Sequence, residues 1–274
     1  MHVVDPQHYP LSQHAAYSPT PHTLSQALDF YETVNIHNVV LVQPSIYGND
    51  NSCLLDALKE FGAHRARGVV TFDPETIEHD TLREWHELGV RGARVNLKSV
   101  GAKVTQEEFD ASLRRYAEAI RPLDWALQLY VSMDVISMLE PIVPSLDVKV
   151  CIDHFGHPDL PPVAERTHPV NPHDLPGFRA LTSLLRQGNT WVKISAPYRI
   201  DDDAQMSGVE PLAKELLHMA PHRTVFATDW PHTRFEGVDI KPFIEACLGW
   251  CSRKEGLAER LFRRNAEELW SVVS

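Results

Sequence analysis

The residues best placed to do chemistry stand at the end of one apolar run, Thr224-Val225-Phe226-Ala227-Thr228-Asp229-Trp230-Pro231-His232. A strand-type run stops at an acid, and an aromatic residue, a proline and a histidine follow at once. Proline has no backbone N–H, so Pro231 ends any ladder and leaves Asp229 at the carboxyl end of the strand. In a parallel barrel that end is the catalytic face. A short carboxylate there is suited to take a proton from water as a general base. The plainer reading, a buried aspartate capping the next helix, explains this residue but not the ends of the other runs.

Those ends carry related chemistry. His2 and Asp5 lie near the first run. Gln43 ends the second, with Ser45 and Tyr47 following. The fourth carries Arg94 and Asn96, and the fifth Gln128 and Tyr130. Asp153 and His154 end the sixth, with His157 beyond. Ser195, Tyr198 and Arg199 follow the seventh, and Asp229 and His232 the eighth. His154 is suited to orient a water or polarise a carbonyl. Arg94 and Arg199 present planar forks that match carboxylates. Ser45, Tyr47 and Tyr130 add neutral hydrogen bonds. A structural ion pair is the plain reading for either arginine alone, but both fall on one expected face. No Gly-rich phosphate loop and no G-x-S-x-G elbow is present, which argues against nucleotide binding and a serine nucleophile.

The elements that must position these groups alternate along the chain. Strand-like runs are expected at Met1–Pro6, Asn38–Gln43, Ala66–Phe72, Arg91–Leu97, Trp125–Val131, Val148–Phe155, Thr190–Ile194 and Thr224–Thr228. Helical spacing is expected at Thr23–Val34, with Thr23 as N-cap, and at Ser52–Phe61, Asp80–Leu88, Thr105–Ile120 and Val135–Leu139. It returns at Phe178–Gln187, Val209–Met219, Pro242–Trp250 and Leu257–Val273. Strands alternating with helices predict a parallel sheet with helical crossovers. Eight such units predict a closed α/β barrel, and a (β/α)8 barrel needs about 250 residues. The chain has 274, is 43% hydrophobic and shows neither repeat nor linker, so one domain over residues 1–274 is expected.

Twenty-six basic against 37 acidic residues leave a formal charge of −11. That disfavours nucleic-acid partners but not a small anionic substrate, since local arginines can oppose the global charge. Cys53, Cys151, Cys247 and Cys251 form no CxxC pair and read as packing thiols in a reducing compartment. No secretory leader and no apolar run of about 18 residues is visible, so the expectation is a cytoplasmic protein with no membrane partner. The helix faces carry no decisive stripe from which an oligomeric state is read.

The segments VLVQPSIYGNDN, GVRGARVNL, CIDHFGHP, VKISAPYR and ATDWPHT together resemble the metal-dependent amidohydrolase superfamily. Within it they are most similar to the branch of 2-pyrone-4,6-dicarboxylate lactonase-like hydrolases, and the resemblance spans essentially the whole chain. It implies a distorted (β/α)8 TIM barrel that hydrolyses a lactone or related carboxylic ester bond of a small carboxylated substrate. It further implies that Asp229 activates water while His154 and His2 stabilise the oxyanion. Arg94 and Arg199 would hold a substrate carboxylate, with Ser45, Tyr47, Tyr130 and His232 beside them. The family's His-x-His is matched only by its second histidine, His2. The branch works without a metal, so no cofactor is expected; the alternative is zinc held by His2, His154 and Asp229. The family has a second arginine a little after the one matching Arg94. Here Lys98, Ser99 and Val100 stand in its place, so a substrate with one carboxylate or a different ring fits as well as a dicarboxylate.

Two other readings compete. A zinc-dependent non-oxidative decarboxylase of an aromatic or unsaturated acid needs the metal cluster. A catalytically silent barrel that binds a small acid is motivated by the incomplete His-x-His, although Asp229 and His154 are both retained.

Overall fold

The computed structural model describes residues 1–97, 105–166 and 168–272. Helix α1 (Leu24–Thr33) precedes β1 (Val39–Val42). Then come α2 (Ser52–Phe61), β2 (Ala66–Val70), α3 (His79–Glu87), β3 (Val90–Asn96), α4 (Gln106–Ile120), β4 (Ala126–Tyr130) and α5 (Ile136–Leu139). The chain continues through β5 (Lys149–Ile152), α6 (Phe178–Gln187), β6 (Thr190–Ile194), α7 (Val209–Met219), β7 (Thr224–Phe226) and α8 (Lys241–Cys251). Among the described residues seven strands form one sheet in sequence order, each parallel to the next. Parallel neighbours require a crossover, and the intervening helices supply it. Capping boxes start α1 (Thr23 with Gln26) and α4 (Thr105 with Glu108), each satisfying orphan N–H groups of the first turn.

The expected first strand, Met1–Pro6, does not form. Among the described residues it contributes an isolated antiparallel bridge from Val4 to His22. A turn begins at Pro6, so too little chain precedes it for a longer ladder. Residues 1 and 2 instead sit between the two ends of the sheet. Met1 N donates to Val40 O (3.1 Å), Val42 N donates to Met1 O (2.8 Å), and His2 N donates to Trp230 O (2.9 Å). The expected helix Leu257–Val273 is also interrupted. It forms as α9 (Leu257–Glu259), a π-helical turn (Arg260–Arg264) and α10 (Asn265–Leu269). At this break the buried Asn265 side chain donates to Pro221 O and Thr224 O, both 2.8 Å away, and ties the C-terminal segment to β7.

The sheet is curled. Val42 of β1 and Val225 of β7, from opposite ends of the strand order, belong to one buried cluster with Val69, Ala126, Cys151 and Trp191. Leu269 and Trp270 complete that cluster. A Cβ on Gly92 would lie 2.9 Å from Trp270 Cζ3, so only glycine lets the indole approach β3 there. The larger core lies between the strands and the helices, with Leu58, Leu82, Leu113, Leu184 and Leu216 of α2, α3, α4, α6 and α7 fully buried.

Side chains of a strand alternate between faces. On the inner face, Gly92, Ala126, Cys151 and Trp191 form an apolar floor. Two residues further along each strand stand Arg94, Gln128, Asp153 and Lys193, all buried. Two further again stand Asn96, Tyr130 and Ser195. Polarity thus rises toward the carboxyl ends, as the register pairs Arg94–Gln128 and Asn96–Tyr130 require. Among the described residues no helix is long and apolar enough to cross a membrane, and the four cysteines are free and buried.

Candidate active site

The carboxyl ends of the strands open on a cleft lined in part by His2, Ser45, Arg94, Tyr130, His154, Arg199 and Asp229. Seven of the nine residues expected from sequence therefore converge there. Backbone geometry helps to aim them. Asp229 follows β7 at φ 59° and His154 follows β5 at φ 47°, both in the left-handed region that non-glycine residues rarely adopt. Such conformations cost of order 1–3 kcal/mol each and persist where surrounding contacts over-determine them.

Asp229 is the most heavily supported of these groups. Its Oδ2 accepts from Arg199 Nε at 2.7 Å and from the Tyr198 hydroxyl at 2.8 Å. Its Oδ1 lies 3.8 Å from His154 Nε2. Only 8% of the residue is exposed. Burial alone would raise its carboxyl pKa, but His154, Arg199 and His2 outweigh that and hold it well below the usual carboxylate range. Arg199 is held above its ordinary value: burial opposes its charge, and Asp229 more than restores it. Its Nη2 donates to Thr233 O at 3.1 Å, and Phe235 packs over the guanidinium 5.1 Å from its ring centre.

The two histidines differ in the proton each presents. His2 Nδ1 lies 2.7 Å from Val42 O, and a carbonyl only accepts, so Nδ1 carries the hydrogen. Burial and then the Arg94 guanidinium lower His2 to about 3. It is therefore neutral near pH 7, with a lone pair on Nε2. His154 Nε2 faces Asp229 Oδ1, and an ionised carboxylate only accepts, which places the hydrogen of His154 on Nε2 and leaves Nδ1 to accept from Ser195 Oγ, 2.8 Å away. Burial lowers His154 below its ordinary value although Asp229 and Asp153 oppose it.

Beneath the cleft, Arg94 Nη1 donates to Gln43 O at 2.7 Å, while its Nε is buried without a protein partner. Asp153 accepts from Lys193 at 2.8 Å and from Gln128 at 3.0 and 2.9 Å. Burial raises its carboxyl, but Lys193, His154 and Arg94 bring it down to about 2. Tyr130 packs edge-on to His154 (4.9 Å between centres), and its hydroxyl is 3.3 Å from His157 Nδ1. Burial pushes that phenol up to about 12.

Two expected substrate-binding residues do not line the cleft. Tyr47 is 3% exposed, and its hydroxyl accepts from Asp5 N at 2.8 Å, bracing the N-terminal segment. His232 is 5% exposed, and its Nδ1 contacts the Tyr198 hydroxyl at 3.0 Å. Lys98, Ser99 and Val100 lie outside the described residues. Sequence reasoning gave Tyr198 no role, although it stands beside Arg199 at a strand end. It also missed Lys193, whose signal is a charge alternating with Trp191 and Ser195 on the inner face of β6. Tyr17, Thr233 and Arg234 reach the cleft from loops and carry no spacing signal.

A cleft at the carboxyl ends of a curled parallel α/β sheet, with an aspartate after the last strand and a histidine after β5, matches one class of hydrolase. The chain belongs to the amidohydrolase family, whose model (Amidohydro_2) matches residues 1–272. It is 30% identical over 236 residues to 4-sulfomuconolactone hydrolase of Hydrogenophaga intermedia, covering 85% of this chain and 73% of that protein. It is 27% identical over 241 residues to 2-pyrone-4,6-dicarboxylate hydrolase of Comamonas testosteroni, covering 84% of this chain and 75% of that protein. An amidohydrolase from Burkholderia multivorans, solved with bound Zn, has the same fold: TM-score 0.74 at 17% identity over 92% of this chain and 89% of that one.

That zinc corrects one expectation. The resemblance to the lactonase branch implies no cofactor, whereas a protein of the same fold holds a metal. The described residues do not fit a metal cage. Among the described residues no three or more of His, Cys, Asp and Glu are grouped to hold a metal ion. Of the set His2, His154 and Asp229, the aspartate has Oδ2 committed to Arg199 and Tyr198.

Proposed function

We propose that this protein hydrolyses a lactone or related carboxylic ester bond of a small carboxylated substrate. The supporting observation is an ionised, buried carboxylate, Asp229, with its Oδ1 beside His154 Nε2 in a cleft that also presents two arginines. Water placed against Oδ1 loses its proton to Asp229 as it attacks the lactone carbonyl. His154, with its hydrogen on Nε2, donates to the oxyanion that develops. His2, whose Nε2 bears a lone pair, accepts from the water and orients it. The oxyanion role expected of it falls to His154 alone, since a neutral imidazole has one N–H and that of His2 is spent on Val42 O.

Arg94 and the remaining Nη1 of Arg199 hold a substrate carboxylate, with Ser45 and Tyr130 adding neutral hydrogen bonds along the cleft wall. The whole chain, residues 1–274, acts as one domain. Met1 and His2 close the curled sheet in the place of an eighth strand, making a distorted (β/α)8 barrel; their bonds to Val40, Val42 and Trp230 support this. Four free, buried thiols fit a cytoplasmic setting.

The test is hydrolysis of a small lactone panel that includes 2-pyrone-4,6-dicarboxylate and 4-sulfomuconolactone, on protein of assayed metal content. Turnover that vanishes in Asp229→Asn is expected. Failure of the wild type on every lactone, with or without added zinc, would overturn the proposal.

A further inference from the structure

Tyr198 and His232 form a chain behind Asp229, on the side away from His154. The Tyr198 hydroxyl donates its only hydrogen to Asp229 Oδ2 at 2.8 Å. Its oxygen is then free only to accept, and His232 Nδ1 lies 3.0 Å away. His232 must therefore donate from Nδ1, which leaves Nε2 as a lone pair. That agrees with the surroundings of Nε2, which is buried and has no partner, since a lone pair without a donor is less costly there than an N–H without an acceptor. Phe30 meets the His232 ring edge-on with centres 6.1 Å apart, and Tyr198 does so at 5.5 Å, so both rings are held by packing. Arg199 Nε donates to the same Oδ2 at 2.7 Å.

We propose that Tyr198 and His232 are positioning residues that hold Asp229 by Oδ2, so that Oδ1 is the oxygen presented to the reacting water. The order is His232 Nδ1–H to the Tyr198 oxygen, then Tyr198 O–H to Asp229 Oδ2. Two donors on Oδ2 stop the carboxylate rotating and exchanging its oxygens. Neither residue touches the substrate. This departs from the substrate-binding role that the sequence suggested for His232, and it rests on the lactonase reading only for its kinetic arm.

The test has a kinetic and a spectroscopic arm. Losing one hydrogen bond to a charged group is worth about 1.5–3 kcal/mol, so Tyr198→Phe should lower kcat by roughly 10- to 100-fold. KM should stay within about twofold of the wild type, because no substrate contact is lost. His232→Leu should behave alike. His232→Asn keeps a donor near the Nδ1 position and should recover most of kcat. A raised KM with unchanged kcat in Tyr198→Phe, or a His232→Asn variant as slow as His232→Leu, would overturn the proposal. The second arm needs no substrate. Nitrogen-15 NMR of wild-type His232 should show a protonated Nδ1 and a bare Nε2, and Tyr198→Phe should lose that preference. An Nε2–H tautomer in the wild type would refute the chain of donors. Absence of any lactone turnover would instead count against the proposed function and leave this arm to decide the inference.

Discussion

Replacing Arg199 with methionine separates an arginine that serves the substrate from one that serves the protein. The guanidinium lies 2.7 Å from Asp229, and the two side chains are 11% and 8% exposed. Removing one partner of a buried pair costs about 3–5 kcal/mol, because the other charge is left in a poorly solvated place. Asp229 keeps the Tyr198 hydroxyl and the nearby His154, so the lower end applies, about 3 kcal/mol. At about 2–4 °C per kcal/mol for a domain approaching this size, Arg199→Met should lower Tm by roughly 6–12 °C. Urea unfolding followed by tryptophan fluorescence gives the same quantity at fixed temperature. Adding Asp229→Asn removes the stranded charge, so the double variant should regain most of the loss. The pH dependence has a definite sign. The folded carboxyl of Asp229 is depressed, so its stabilisation is present above the unfolded value near 3.9 and is lost as pH falls through the folded one. The gap between variant and wild type should therefore be full at pH 7 and shrink below about pH 4. A variant within 1 °C of the wild type, or a double variant no better than the single one, would refute the ion-pair reasoning.

Asp229→Asn should lower kcat by roughly 10²- to 10⁴-fold, the usual worth of a general base, with circular dichroism unchanged; retained turnover would remove Asp229 from the mechanism. Arg94→Met should raise KM for a carboxylated lactone by roughly 10- to 100-fold, from the loss of a charge-assisted hydrogen bond. Unchanged kinetics would make Arg94 purely structural. His232 is lowered to about 4 by burial, so the unfolded chain binds a proton that the folded one does not between about pH 6.5 and 4. Stability should rise with pH across that window and be lost as pH falls through it, and His232→Leu should flatten part of that slope in acid titrations of unfolding. Gly177→Ala should prevent folding, because its φ is 85° and a Cβ there would overlap the Met133 carbonyl; soluble protein with native circular dichroism would contradict the geometry.

The positions of most residues that line the cleft are legible from periodicity and punctuation. Apolar runs ending in polar groups located β1 to β7 within a few residues, and the face at their carboxyl ends followed from parallel topology. The first strand was misread because His2 and Asp5 flank a short apolar pair, while the turn at Pro6 limits the ladder. Tyr47 and His232 stand outside the cleft lining for a different reason. A hydroxyl or imidazole after a strand reads the same whether it faces the cleft or turns into the wall behind it. The depth of a side chain at a strand end depends on turn dihedrals and on neighbours distant in sequence, such as Asp5 for Tyr47 and Tyr198 for His232.

The sequence by itself determined the α/β alternation, the parallel order of the sheet and the membership of Arg94, His154, Arg199 and Asp229 in one face. These follow from local rules, in which side chains alternate, proline stops a ladder and apolar runs seek burial. Only the tertiary structure decided which oxygen of Asp229 is held and which is open, which nitrogen of each histidine carries its hydrogen, and which partner neutralises each charge. Those properties are set by pairs such as Tyr198–Asp229 and His154–Ser195, 31 and 41 residues apart in the chain. A hydrogen bond depends on distance and direction within a few tenths of an ångström, and no pattern of residue types along a chain carries that information.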